Sequence, residues 1–470
     1  MQNNLINIVK TINIYNNEVW FKQFPVASPL GEDYFFCGNH KKIEKNLKQF
    51  REAVMYINIP FCNNKCDYCG HRGISGINVK HSKNYVKCLK REIECITNGR
   101  KNKIEILAVL IGGGTPSLLY PEDLKDLLFF LKKKFNINKH AQISIEVSPE
   151  DISKKIAFAL SEGGVNRVCI GVQSFNDENI KECGRRSQKS SHVYEAVDNL
   201  RLSGINNISL DLIFGLHGNN SSKNFMKDNF EHITKIKPTS IDLYAIQDHV
   251  KYADNIFFFQ SKEFEKVKKE IFLKLSSWNR RKKIDFPNNI DNTENILKNL
   301  PKEFSAYFFL RRLYNINCIS IGAGGKNELW INGQFVEKVN KRNRFDAIGY
   351  MYDAGRGVFN YNYSTLTISQ SIRKYIVHNL CPGSAVNKLV LNKISSFCKN
   401  NLNNVIINIK DYILEDKNKI EIKKNFEDYL PFRTQNRFVN YFIFTFCYIY
   451  SEEDRKKLMN AFRRNFRKNK

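Results

Sequence analysis

At 470 residues the chain is too long for one ordinary core and fits one large domain with a smaller one. A hydrophobic content of 42% and an aromatic content of 13% describe a packed protein, and no apolar run approaches the ~20 residues of a membrane span. The net charge of +27 invites a nucleic-acid reading, but Lys and Arg are spread along the whole chain amid abundant Asn and Ile, which sets that reading aside.

The opening text, MQNNLINIVKTINIYNNEVW, is polar and mixed, without a basic segment leading into an apolar one. It does not read as a signal peptide, and a cytoplasmic protein is expected. Residues 1–50 are taken as an N-terminal extension. From there strand and helix patterns alternate. Val54–Ile59 reads as the first strand and leads into a cysteine-bearing loop, with helical text from Lys83 to Thr97. Ile104–Ile111 is the second strand and runs into Gly112-Gly-Gly-Thr-Pro116. Pro121 opens a helix with Leu124, Leu127, Leu128 and Leu131 at helical spacing. Gln142–Val147, Arg167–Gln173, Asn207–Phe214 and Ser240–Ile246 are strands three to six, separated by helices ending near Ser161, Leu202 and Ile236.

Six strand–helix units with near-continuous apolar strands predict an α/β fold, a partial (β/α)6 barrel of the TIM type spanning residues 51–257. In such a sheet the chemistry gathers at the carboxyl ends of the strands. Cys62, Gly112–Pro116, Glu146, Gln173 and Asp211 all fall there. Beyond residue 257 the pattern weakens into a mainly helical, mixed elaboration over 258–470, expected to cover the substrate. It holds a helix from Glu263, a strand-like Cys318–Gly325, and the aromatic run Tyr441–Tyr450, which is too short to span a membrane. The final basic stretch reads as a solvated tail.

Of twelve cysteines, nine (Cys37, Cys88, Cys95, Cys169, Cys183, Cys318, Cys381, Cys398 and Cys447) lack ligand spacing and read as small buried hydrophobes. Cys62, Cys66 and Cys69 share one short loop. With His71 they make a Cys3His zinc set; alternatively the three thiolates hold three irons of a [4Fe–4S] cluster and leave the fourth iron open.

The cysteine spacing, with Tyr56 and Tyr68 beside it, resembles the cluster loop of radical S-adenosylmethionine (SAM) enzymes. The resemblance continues in order through Gly112–Pro116, Ile145–Pro149, Asn166–Phe175, Gly184-Arg185 and Asp211–Leu216, and is to the oxygen-independent coproporphyrinogen III oxidase family and its relatives. It implies a [4Fe–4S] cluster held by Cys62, Cys66 and Cys69, with SAM chelating the open iron and yielding a 5′-deoxyadenosyl radical once an electron enters. A reductant such as flavodoxin or ferredoxin is the implied partner. It further implies that Gly112, Gly113, Gly114 and Thr115 let backbone approach the methionine end of SAM, that Glu146 meets its amino group and Arg185 its carboxylate, that Gln173 and Asp211 meet the ribose, and that Tyr56 steers SAM catalytically.

Within that family the chain departs from the oxidases at His71, where they carry a further Cys, and at Asn58, where most relatives carry His. His217 replaces a Pro and reads as a loop residue. Asp242–Ile246, Ile321–Gly325 with Trp330, and the early Ala27–Leu30 are similar to the haem-opening anaerobilin synthases and class C methyltransferases. That likeness implies a methyltransferase acting on a tetrapyrrole or similar conjugated ring, with one or two SAM molecules and with Phe61, Tyr244 and Ala245 beside the second. Oxidative decarboxylation of coproporphyrinogen and haem chaperoning are the alternatives.

Overall fold

The computed structural model describes residues 50–69, 74–75, 80–216, 221–245, 262–275, 293–340, 346–380, 386–396, 413–415 and 419–422. Ala27–Leu30, His71, His217, Ile246 and Tyr441–Tyr450 lie outside them.

β1 (Glu52–Ile59) sets the pattern for the sheet. Successive side chains of a strand point to opposite faces. Ala53, Met55, Ile57 and Ile59 therefore pack against Tyr85, Leu89 and Ile93 of α1 (Lys80–Thr97), while Val54 and Tyr56 join a second apolar cluster on the other face. β2 (Glu105–Gly113) divides the same way, with Leu107, Ala108 and Leu110 in the second cluster, whereas β3 (Asn136–Val147), β4 (Arg167–Gln173), β5 (Ile208–Phe214) and β6 (Ser240–Ala245) give their apolar residues to the first alone. All six are parallel to their neighbours, in the register Tyr56↔Leu110, Ile111↔Ile145, Val147↔Ile170, Ile170↔Leu210 and Asp211↔Asp242.

The connecting helices are α2 (Pro121–Lys134), α3 (Lys154–Glu162), α4 (Asp177–Glu182), α5 (Ser190–Leu202) and α6 (Ser222–Ile236). Their starts are built locally. Pro121 occupies the first turn of α2, where its missing N–H costs nothing, and acids at 122–123 with lysines at 132–134 complement the helix dipole. Ser153, Asn176 and Ser221 cap the helices that follow them by accepting backbone N–H bonds.

The sheet does not stop near residue 257. After α7 (Lys262–Leu275), α8 (Thr293–Asn299) and α9 (Ala306–Leu313), the strand β7 (Cys318–Ile321) pairs parallel with the free side of β1, Val54 facing Cys318. β8 (Lys326–Ile331), β9 (Gln334–Asn340) and β10 (Tyr361–Thr365) extend it antiparallel. The result is a ten-stranded sheet in the order β10-β9-β8-β7-β1-β2-β3-β4-β5-β6. α10 (Ala347–Gly355) covers α1, and α11 (Ile368–Leu380) packs on α9.

Two local expectations change. β3 begins at Asn136 rather than Gln142, because Glu105 and Ile106 pair with Asn136 and Ile137, and Asn138 Nδ2 donates to Glu105 Oε1 at 2.7 Å. Cys88, Cys169, Cys183 and Cys318 are buried, but Cys95 is exposed on the outer side of α1. Cys37, Cys381, Cys398 and Cys447 lie outside the described residues. No helix among the described residues is long and apolar enough to cross a membrane.

Candidate functional site

The loop after β1 is held from two directions. On one side Thr115 N donates to Phe61 O at 2.7 Å, Gly114 N to Ile59 O at 2.7 Å, and the Thr115 hydroxyl to Cys62 Sγ at 3.7 Å. On the other, Asp67 N donates to Cys183 O at 3.0 Å, and a side chain on Gly184 would meet Lys65 O. A short parallel ladder, Phe61 with Ile74 and Cys62 with Ser75, closes the loop on itself.

The glycines are required by contact. A Cβ on Gly114 would stand 2.9 Å from Cys62 Sγ, and one on Gly112 would stand 2.5 Å from Glu146 Oε2. Gly113 has φ +115 and would collide with the Asn58 side chain. Asn58 itself is buried, its amide donating to Ala323 O at 2.7 Å and its carbonyl accepting from the Tyr85 hydroxyl at 2.9 Å. It thereby ties the first strand to the glycine-rich turn after β7.

Cys62, Cys66 and Cys69 are free thiols, each partly exposed. Their sulfurs are not drawn to one point: among the described residues no trio of His, Cys, Asp and Glu side chains has metal-holding geometry. Cys62 instead meets Thr115, and Cys66 meets Arg185, which also bonds Gly171 O and Gln188 Oε1 at 2.6 Å each. Burial works against the Arg185 charge, but Tyr68 and Cys66 hold its pKa above the ordinary value. Arg185 thus joins the ends of β3 and β4 to the cysteine loop, with Ser148 Oγ 3.4 Å away.

The inner face of β3 to β6 is polar. Glu146 accepts from Gly113 N at 3.3 Å, and burial raises its carboxyl to about 6. Asp211 lies in the same field; burial and then Asp242 and Glu146 push its carboxyl well up, and its Oδ1 is buried without a hydrogen-bond partner. Gln173 is buried with φ +67, a left-handed conformation that a non-glycine residue rarely adopts, at a register shift between β4 and β5. Tyr56 turns its ring towards Tyr307, centroids 6.0 Å apart. Tyr244 stands 53% exposed at the end of β6, followed by Ala245. The Phe61 ring is buried edge-on against Tyr85 at 5.0 Å, and the Phe61 carbonyl faces the glycine loop.

Sequence reading missed Arg167 and Asp242. Arg167 is almost wholly buried, with Nη1 2.6 Å from Cys169 Sγ and Nη2 3.5 Å from Asp242 Oδ2, so one guanidinium stands among Glu146, Asp211 and Asp242. The alternation of Arg167, Cys169, Gly171 and Gln173 along β4 carries that signal, since residues two apart share a face.

Residues 56–227 of the chain match the radical SAM superfamily. It is 34% identical over 192 residues to the haem chaperone HemW of Buchnera aphidicola subsp. Schizaphis graminum, covering 41% of this chain and 50% of that one. It is 30% identical over 197 residues to the oxygen-independent coproporphyrinogen III oxidase of Bradyrhizobium diazoefficiens, covering 42% and 43%. The chain thus spans about half the length of these relatives. The solved structure of coproporphyrinogen III oxidase HemN from Escherichia coli has the same fold, with a TM-score of 0.61 at 17% identity over 88% of this chain and 94% of that one.

A radical SAM domain binds a [4Fe–4S] cluster and SAM. The residues present fit both groups. Three thiols sit on one loop beside a guanidinium, side-chain-free backbone approaches Cys62, and an unpartnered buried carboxylate oxygen faces the same interior.

Proposed function

We propose that the chain is a radical SAM enzyme acting on a tetrapyrrole or similar flat conjugated acid, with SAM-dependent methyl transfer as the net reaction. The observation that carries the radical SAM part is the contact between Gly114 and Cys62, which sets the open side of the cysteine loop against a backbone surface and a row of carboxylates. When bound, cluster and cofactor supply reductive cleavage of a sulfonium and hydrogen abstraction from a substrate. The chain's own residues do the rest. Cys62, Cys66 and Cys69 hold iron; Glu146 receives a cationic amino group, and the buried, underpartnered Asp211 takes hydroxyl donors. Arg185 offers a planar cationic fork to a carboxylate while it fixes the cysteine loop. Tyr56 and Tyr244 give aromatic surface to the cavity.

The tetrapyrrole part is supported by the relatives, whose names concern haem and coproporphyrinogen. Methyl transfer is supported by the sequence likeness of Asp242–Ala245 and Ile321–Gly325. The oxidase relatives favour a second reading, oxidative decarboxylation, and the chaperone relatives a third, haem delivery. One anaerobic incubation with SAM, dithionite or reduced flavodoxin, and haem or coproporphyrinogen separates them. Methylated product with 5′-deoxyadenosine supports the proposal. Carbon dioxide from coproporphyrinogen replaces it with the oxidase, and stable haem binding without SAM cleavage replaces it with the chaperone.

A further inference from the structure

The inner face of the sheet is bordered by α9. This helix packs against β1, β2 and β3, and its start is clamped by Gln142, whose amide donates to Phe304 O at 3.0 Å and accepts from Ala306 N at 2.9 Å. Tyr307 and Leu310 enter the core. Phe304, Phe308 and Arg312 stay exposed, and at a spacing of four they follow one face of the chain.

The two adjacent arginines of α9 have different surroundings. Arg311 is satisfied: Nε and Nη2 grip Glu328 at 2.8 and 2.6 Å, and Nη1 donates to the Tyr307 hydroxyl at 3.1 Å. The Arg312 guanidinium lies 5.5 Å from the centre of the Phe308 ring and makes no ion pair among the described residues. Its electrostatic neighbours include Tyr244, and Tyr244 in turn feels Asp211, Asp242 and Glu146. This face is therefore polarised. Carboxylates stand on the strand side, suited to a cationic cofactor, and on the helix side stands a guanidinium that feels Glu328 but makes no ion pair with it, beside the Phe308 ring. A planar guanidinium in that setting recognises a carboxylate by two parallel hydrogen bonds, and the flanking rings suit a flat conjugated body.

We propose that Arg312, with the rings of Phe308 and Tyr244, anchors a carboxylate carried by a flat conjugated substrate at the inner face of the sheet. Desolvation first and then repulsion from Arg311 lower the Arg312 pKa, with Glu328 opposing. This inference rests on the tetrapyrrole reading given above.

The test is an anaerobic absorbance titration with haem, which carries two free carboxylates, and with its dimethyl ester, against wild type, Arg312→Gln and Arg312→Lys. Wild type should prefer the free acid by at least about tenfold, the scale of one charge-assisted anchor. Arg312→Gln should lose that preference, and Arg312→Lys should keep part of it. Equal wild-type affinity for acid and ester, or an undiminished preference in Arg312→Gln, overturns the inference and leaves the tetrapyrrole reading standing. Wild type that binds neither form overturns both. The wild-type comparison holds even if a variant fails to fold.

Discussion

Gly114 and Cys62 belong to different strand-to-helix connections, yet the Cys62 sulfur lies 2.9 Å from where a Gly114 side chain would begin. The Phe61 carbonyl lies closer still, so a methyl group has backbone on one side and a candidate iron ligand on the other. Neither yields cheaply, because Phe61 O is already fixed by Thr115 N. Gly114→Ala should cost about 1–3 kcal/mol of overpacking. The site effect should exceed the fold effect. Iron bound after anaerobic reconstitution should fall several-fold while far-UV circular dichroism stays native. Full iron content in this variant would contradict the close approach.

Cys66→Ala removes one partly exposed sulfur that belongs to neither apolar cluster. SAM cleavage to 5′-deoxyadenosine under dithionite should disappear, with the unfolding midpoint nearly unchanged. Cys88→Ala is the control. That thiol is buried on α1 against α10, so its loss should lower stability and leave cleavage intact. Retained cleavage in Cys66→Ala would remove the cluster assignment.

Glu146 gives a pH signature. Burial raises its carboxyl from 4.5 to about 6, with the Gly113 N–H bond opposing. Between those values the folded chain holds a proton that the unfolded chain has released. The contribution of Glu146 is therefore present in full below the unfolded value and is lost as pH rises through about 6. Glu146→Gln removes this loss. Without SAM, the variant should gain melting temperature relative to wild type at about pH 8 compared with about pH 5, by calorimetry. Its SAM affinity at the higher pH should drop about tenfold, because the charge suited to the amino group is gone. A gap that is the same at both pH values would refute the buried-carboxylate account.

Much of this was legible before the structure. The parallel strands announce themselves because a strand buried on both faces needs continuous apolar or β-branched text, and Arg167–Gln173, buried throughout, begins where that text begins. The start of β3 was hidden because Asn136–His140 is polar, and its pairing depends on Glu105 and Ile106 far away in sequence. The pairing of β7 with β1 was illegible for the same reason: Val54 faces Cys318, and no local pattern encodes so distant a partner. Candidate cofactor residues were readable where they stand at strand ends. Phe61 follows β1 at a strand end, where a cofactor contact is expected, and alternation turns its ring towards Tyr85. Arg312 escaped notice because a basic residue on a helix normally reads as solvated surface.

The distant pairing is secured by one acid. Glu92 of α1 is buried and accepts from Gly322 N at 2.9 Å and from the hydroxyls of Tyr350 and Tyr361 at 2.6 Å each. Burial raises its carboxyl, and the three donors pull it back. Through Gly322 it meets the Asn58–Ala323–Tyr85 bonds, so one side chain links α1, α10, β10 and the end of β1. Glu92→Ala leaves three buried donors without an acceptor, each worth roughly 1–3 kcal/mol, for a total of at least about 3 kcal/mol. Glu92→Gln keeps an acceptor oxygen and should lose less. Urea denaturation should show the larger loss in Glu92→Ala, with protease cutting first between Gly322 and Tyr361, because the strands beyond β7 extend the sheet from this edge. A loss below about 1 kcal/mol would mean that sheet pairing with β1 alone holds the extension in place.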